Sequence, residues 1–117
     1  MAPYRVGIIG FGKVGNFLVE KILANPDLEL AFVCDLFAPQ NVLSSQILPE
    51  SAKKPNLDGF EDTKPDLIVE VAHPNVSKDY GARILRCCDY MIASTTTFAD
   101  KDTEKMLWEE ADRQGFL

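Results

Sequence analysis

The sequence predicts an α/β fold of the doubly wound kind, three layers with a parallel sheet held between helices. Three observations predict it. Short apolar runs rich in β-branched residues, too brief for helices, recur near 6–9, 28–34, 67–71 and 89–93. Segments with apolar residues three and four apart lie between them, which is the signature of helices laid on a sheet. A glycine turn, Gly10-Phe-Gly-Lys-Val-Gly15, joins the first run to the first such segment. Alternation of this kind folds as parallel strands linked by crossover helices.

The first strand carries Val6, Ile8 and Ile9, and the turn after it has G-x-G-x-x-G spacing. Each glycine has its own physical task. Gly10 permits the tight turn out of the strand, Gly12 removes a Cβ that would hold a diphosphate off the backbone, and Gly15 lets the helix pack closely. Unpaired N–H groups and the positive end of the helix dipole then favour an anion at the mouth formed by Gly10, Phe11, Gly12, Lys13, Val14 and Gly15. Taken alone, a glycine triplet at this spacing also marks ordinary turns. Its context is therefore decisive.

Val14, Phe17, Leu18 and Ile22 follow helical spacing, Glu20 and Lys21 lie off that face, and Asn25-Pro26 ends the run. The second strand, 28–34, closes on Asp35, about twenty residues past the last glycine, where a dinucleotide fingerprint needs a carboxylate for the ribose hydroxyls. The plain alternative is a strand-capping acid. With strand, glycines, helix, strand and acid in register, the reading is a Rossmann-like nucleotide fold. Asp35 also disfavours a 2′-phosphate, so NAD is preferred over NADP, with dual use left open.

Between Leu36 and Lys64 the pattern loosens. Pro39 to Leu48 accommodates a short helix with proline in its first turn. The stretch from Pro49 to Gly59, with two prolines and an Asp58-Gly59 turn signal, leaves room for a short edge strand at most. Lys53 and Lys54 are read as a solvated loop pair, with a contact to a 2′-phosphate as the lesser reading.

Order returns with Leu67, Ile68, Val69 and Val71, a strand buried on both faces, and with Ala72-His73-Pro74 as the turn at its carboxyl end. Asn75 is read as the cap of a helix showing Val76, Tyr80, Ile84 and Cys87 or Cys88 to the sheet. Asp89-Tyr-Met-Ile-Ala is a further strand, ending on Ser94-Thr-Thr-Thr97. Asp100 caps a last helix with Thr103, Met106, Leu107 and Ala111 inward and Gly115 at its end. Lys101, Asp102, Glu104, Lys105, Glu109 and Glu110 form its solvated face, while Phe17, Phe32 and Trp108 are read as core. The glycine turn, Asp35, the Ala72-His73-Pro74 turn and Ser94 to Thr97 all fall at the carboxyl edge of the sheet, where such folds bind ligands.

A chain of 117 residues is one domain, and its 46% apolar and 26% charged content is that of a globular protein. The net charge of −6 argues against nucleic-acid binding, which needs a surplus of Lys and Arg. No apolar run is long enough to span a bilayer. The first strand follows Met1 closely, leaving no room for a leader, so a cytoplasmic location is expected. Cys34, Cys87 and Cys88 form neither a disulfide framework nor a metal spacing and are read as small core residues. No metal is expected.

Four phrases resemble the L-aspartate dehydrogenases and the animal aspartate dehydrogenase domain-containing proteins. They are Arg5-Val-Gly-Ile-Ile-Gly-Phe-Gly-Lys-Val-Gly15, Pro65-Asp-Leu-Ile-Val-Glu-Val-Ala-His-Pro74, Tyr80-Gly with Ile84-Leu85, and Ser94-Thr-Thr-Thr-Phe-Ala-Asp100. The last three are more specific than the glycine motif, and 36–64 matches none of it. The resemblance implies a nucleotide-binding N-terminal half, residues 1–117, cut short before its last strand. It also implies NAD(P)-dependent oxidative deamination of L-aspartate through iminoaspartate in a longer parent. There a C-terminal domain, absent from this chain, supplies the substrate pocket, the catalytic histidine and most contacts of a homo-oligomer. Homoserine dehydrogenase-like and dihydrodipicolinate reductase-like proteins share the general nucleotide half and are the runner-up. A stand-alone nucleotide-binding or redox-sensing module, or a remnant that binds nothing, are the other readings.

No residue of the chain is assigned catalysis. His73, the sole histidine, is read as a cofactor contact at the turn with Ala72, ahead of a structural role and of acid-base work. Ser94 and Thr95 are read as hydrogen-bonding the nicotinamide side, since no base or nucleophile elbow accompanies them. Glu70 is read as a buried, hydrogen-bonded or sheet-face acid in mid-strand, without chemistry.

Overall fold

Alternating side chains on β1 (Tyr4–Ile9) divide the molecule into its layers. Val6 and Ile8 join one buried cluster and Ile9 the other, so the strand is covered on both faces. A computed structural model describes residues 2–94 and 96–115. The chain runs on through α1 (Lys13–Leu23), β2 (Leu28–Cys34), α2 (Pro39–Leu43), β3 (Lys53–Lys54), β4 (Leu67–Glu70), α3 (Pro74–Leu85), β5 (Asp89–Ile92) and α4 (Lys101–Gln114), with short 3₁₀ turns at Glu50–Ala52, Phe60–Thr63 and Thr97–Ala99. All four strand pairings are parallel and the order is β3-β2-β1-β4-β5. This is the three-layer, doubly wound α/β sheet expected.

One face packs Val19 and Ile22 of α1 and Val42 of α2 on Val6, Ile8, Val33 and Val69. The other packs Val76, Ile84 and Leu85 of α3 and Leu107 and Ala111 of α4 on Ile9, Phe32 and Ile68. Gly7 has a task that spacing did not reveal. A Cβ there would lie 2.3 Å from the Phe32 ring, so the glycine is the seat on which that buried ring rests.

Several expectations are corrected. In α1 the buried positions are Gly15, Val19 and Ile22, whereas Val14 and Phe17 face solvent at 57% and 56% exposure. The predicted stripe was rotated toward the flank of the helix. Trp108 is exposed too, stacked on Phe98 at 6.3 Å between ring centres, while Phe32 is core as expected. Glu110, assigned to the solvated face, is buried and accepts from Arg86, Arg113 and Gln114. The other charges of α4 behave as a surface, with Lys101–Glu104 and Lys105–Glu109 pairs.

The cap of α3 is not Asn75. His73 stands in extended conformation before Pro74, and its Nδ1 accepts from the Asn75 amide, 3.1 Å away. The cap of α4 is Asp100, as read, accepting from the amides of Asp102 and Thr103. The helix begun at Pro39 ends five residues on, because Ser44 turns its hydroxyl back to the Gln40 carbonyl and Ser45 takes the Leu48 amide instead. Lys53 and Lys54 are not a solvated pair. They form the edge strand β3, and the Lys53 ammonium is held by the Leu43 carbonyl and Glu50, leaving its side chain 6% exposed. Glu70 ends β4 rather than sitting within it.

Candidate functional site

Strand order reverses at β1, whose neighbours β2 and β4 lead to helices on opposite faces, and a cleft opens where their carboxyl ends part. It holds about 330 Å³ between the glycine turn, the segment after β2 and the turn after β4. Gly10, Gly12, Asp35, Phe37, Ala72 and His73 line it.

The three glycines are required for different reasons. Gly10 has φ +109°, and a Cβ there would stand 2.9 Å from the Val71 backbone. A Cβ on Gly15 would come within 2.1 Å of the Gly10 carbonyl oxygen, so α1 could not start where it does. The fold itself explains both. Gly12 differs, because its φ is −85° and nothing lies within 4 Å of the place a Cβ would take. Neither strain nor crowding accounts for a glycine there, and the vacant space belongs to the cleft.

Gly12 is also the N-cap of α1, with no side-chain cap and no acid in the first turn. The amides of Lys13, Val14 and Gly15 have no preceding turn to donate to, so the helix presents a positive, uncapped end. The Lys13 side chain is exposed. Phe11 contributes differently than a motif would suggest: its ring is core, and its N–H donates to Asp35 Oδ2 at 3.0 Å.

Asp35, 7% exposed, thus ties β2 to the glycine turn. Its Oδ1 accepts from the amides of Phe37 (3.0 Å) and Ala38 (2.9 Å). Among the described residues three donors engage the roughly four lone-pair sites of this carboxylate. Beside it Cys34 is buried, and burial first, then the Asp35 charge, push its thiol up to about 12. It is a packing group and not a nucleophile.

Across the cleft, Phe37 and His73 face each other with ring centres 5.7 Å apart. Phe37, 62% exposed, was not picked out from sequence, since it lies in the unpatterned stretch and its only signal is an apolar ring just past the strand-end acid. Glu70 is the other residue sequence reading left without a task. Fully buried at the end of β4, it accepts from the Ala72 amide and the Ser94 hydroxyl, each at 2.6 Å, and from the Ser94 amide at 3.3 Å. It holds the β4 and β5 ends of the site together. Ser94 itself is half-buried. Thr95, expected beside it, lies outside the described residues. A second groove of about 310 Å³, against Tyr90, Ile92, Phe98 and Trp108, is lined mainly by carbon.

The family model described as homoserine dehydrogenase, NAD binding domain, matches residues 10–117. The chain belongs to this family. This NAD-binding domain is 37% identical over 114 residues to the aspartate dehydrogenase domain-containing protein of Xenopus tropicalis, covering 95% of this chain and 39% of that protein. It is 33% identical over 98 residues to the L-aspartate dehydrogenase of Archaeoglobus fulgidus, covering 83% of this chain and 37% of that protein. A crystal structure of aspartate dehydrogenase from Thermotoga maritima is similar with a TM-score of 0.69 at 28% identity, over 94% of this domain and 42% of that chain. The domain therefore spans about two fifths of the length of the relatives it matches. Among its described residues no helix is long and apolar enough to cross a membrane.

Proposed function

We propose that this domain holds the adenosine diphosphate part of NAD on the first turn of α1. It would form the cofactor half of an L-aspartate dehydrogenase-like oxidoreductase whose substrate domain follows residue 117. The observation that carries the reading is Gly12, a glycine with no steric reason within the fold, set at an uncapped helix end that opens on a cleft.

The residues fit such a ligand. Amides of Gly12, Lys13, Val14 and Gly15 surround the place for a diphosphate. The Asp35 carboxylate accepts from a ribose hydroxyl, which favours NAD, and Lys53, tied to Leu43 and Glu50, is not available to a 2′-phosphate. Phe37 and His73 offer ring faces at the mouth. Ala72 and Ser94, and Thr95 by sequence, stand on the nicotinamide side. When bound, NAD supplies a ring that accepts hydride from the carbon bearing an amino group. This chain's residues bind and orient it, and none of the described ones is assigned proton transfer.

In the full-length parent the reaction is oxidative deamination of L-aspartate, with iminoaspartate available to NAD biosynthesis, in a cytoplasmic homo-oligomer. A homoserine dehydrogenase-like parent is the second reading, favoured by the description of the matching family model. Titrating the purified chain with NADH and following its fluorescence tests the first step. Saturable binding that weakens at least tenfold in Gly12→Val is expected. An unchanged affinity in that variant would sink the phosphate-cradle reading. Assaying the full-length protein with L-aspartate and L-homoserine separates the two parents.

A further inference from the structure

Gly12 opens the cleft and in doing so loosens it. A glycine takes positive φ about as readily as negative, so the peptide between Phe11 and Gly12 can turn over at little cost on the Gly12 side. On the other side Phe11 is held by its buried ring and by its N–H on Asp35, which leaves its carbonyl as the group free to swivel. Turned one way this peptide offers the cleft an N–H, which suits an anion. Turned the other way it offers a carbonyl oxygen, which repels one.

Asn16, on the first turn of α1, restrains that swivel. Its Nδ2 donates to the Phe11 carbonyl at 3.2 Å and to the Gly12 carbonyl at 2.9 Å, and the Gly12 carbonyl also accepts the Asn16 main-chain N–H at 2.9 Å. A side-chain amide has two N–H protons, and here each has a carbonyl. Asn16 and Phe11 line a separate hollow of about 380 Å³, whereas Gly12 lines the cleft and Asn16 does not. No peptide bond among the described residues is cis, and in a trans peptide the N–H points opposite to the C=O. Carbonyls drawn toward Asn16 therefore carry the N–H groups of Gly12 and Lys13 away from it. Among the described residues no acceptor takes the Gly12 N–H.

We propose that Asn16 is a positioning residue that holds the Phe11–Gly12 peptide with its N–H toward the cleft, adding a fixed donor for a diphosphate to those of the helix end. The inference rests on the nucleotide reading above. It goes further by giving a task to a residue outside the glycine spacing.

The test is titration of the ¹⁵N-labelled chain with ADP, which carries the diphosphate, and with adenosine, which lacks it, followed through the amide signals. Wild type is expected to bind ADP with a shift of the Gly12 amide signal. Asn16→Ala lowers ADP affinity about five- to tenfold, through loss of the hydrogen bonds that hold the competent form. Adenosine affinity and the urea midpoint stay level, since the helix preference of alanine offsets the lost side-chain bonds. Asn16→Ser, whose hydroxyl reaches back to the Gly12 carbonyl but is too short for that of Phe11, loses as much as Asn16→Ala. ADP affinity within about twofold of wild type in Asn16→Ala, an equal loss for adenosine, a urea midpoint that falls along with ADP affinity, or wild-type affinity in Asn16→Ser overturns the proposal. Should Asn16→Ala not fold, Asn16→Ser decides by the same comparison of ADP with adenosine. Failure of wild type to bind ADP instead removes the nucleotide reading itself.

Discussion

Gly15→Ala isolates a packing requirement from a helix preference, because the two act in opposite directions at that site. Alanine in place of a helical glycine gains about 1 kcal/mol of intrinsic helix stability. Against this, the new methyl would stand 2.1 Å from the Gly10 carbonyl oxygen and 3.0 Å from its carbon, both backbone atoms at a turn already pinned by Val71. Ordinary contact begins near 3.4 Å. The start of α1 must therefore retreat by about 1 Å, loosening Val19 and Ile22 against Ile8 and Val33. Overpacking of this kind costs about 3 kcal/mol, so the net loss is about 2 kcal/mol, or roughly 8 °C in Tm for a chain this size. The control is Gly12→Ala, where nothing lies within 4 Å and stability should stay within about 0.5 kcal/mol, the loss of chain entropy in the unfolded state offsetting the poorer cap. Urea unfolding followed by circular dichroism reads both. A Gly15→Ala domain as stable as wild type, or a Gly12→Ala domain as damaged as Gly15→Ala, would refute the division of labour between the two glycines.

Two further outcomes follow from burial. Phe32→Ala, which empties the seat over Gly7 and beside Phe60, should cost about 3–5 kcal/mol, whereas Trp108→Ala, at an exposed stacked ring, should cost under about 1 kcal/mol; urea midpoints at constant slope check the contrast. Stability should also fall as pH rises above about 8.5. The Cys34 thiol ionises there in the unfolded chain but only near 12 in the fold, so the unfolded state holds fewer protons across that window. Unfolding midpoints from neutral to alkaline pH should show the decline, and Cys34→Val should shrink it.

The fold was legible because strand and helix periods, glycine spacing and a strand-end acid depend on near neighbours in the chain. Gly10, Gly12, Gly15, Asp35, Ala72 and His73 meet in one place because parallel strands bring their carboxyl ends to one edge. The orientation of α1 was not legible. Val14, Phe17, Leu18 and Ile22 satisfy helical spacing as well as Gly15, Val19 and Ile22 do, so two apolar stripes overlap on one helix. Gly15 selects between them by resting on the Gly10 carbonyl, a contact with no trace in periodicity. Glu110 was misread for a related reason: its charge marks it as a surface residue until Arg86, from the end of α3, is brought beside it.

The sequence by itself determined the architecture and the class of ligand, and it pointed to the carboxyl edge of the sheet as the place to look for a site, since each is written in local spacing and in residue types with few conformational alternatives. Only the tertiary structure decided what the polar groups at that edge do. Asp35 braces the Phe11 amide, His73 caps α3, and Glu70 orients Ser94. Hydrogen-bond partnership is a matter of direction and distance between segments far apart in the chain, and spacing along the chain carries neither.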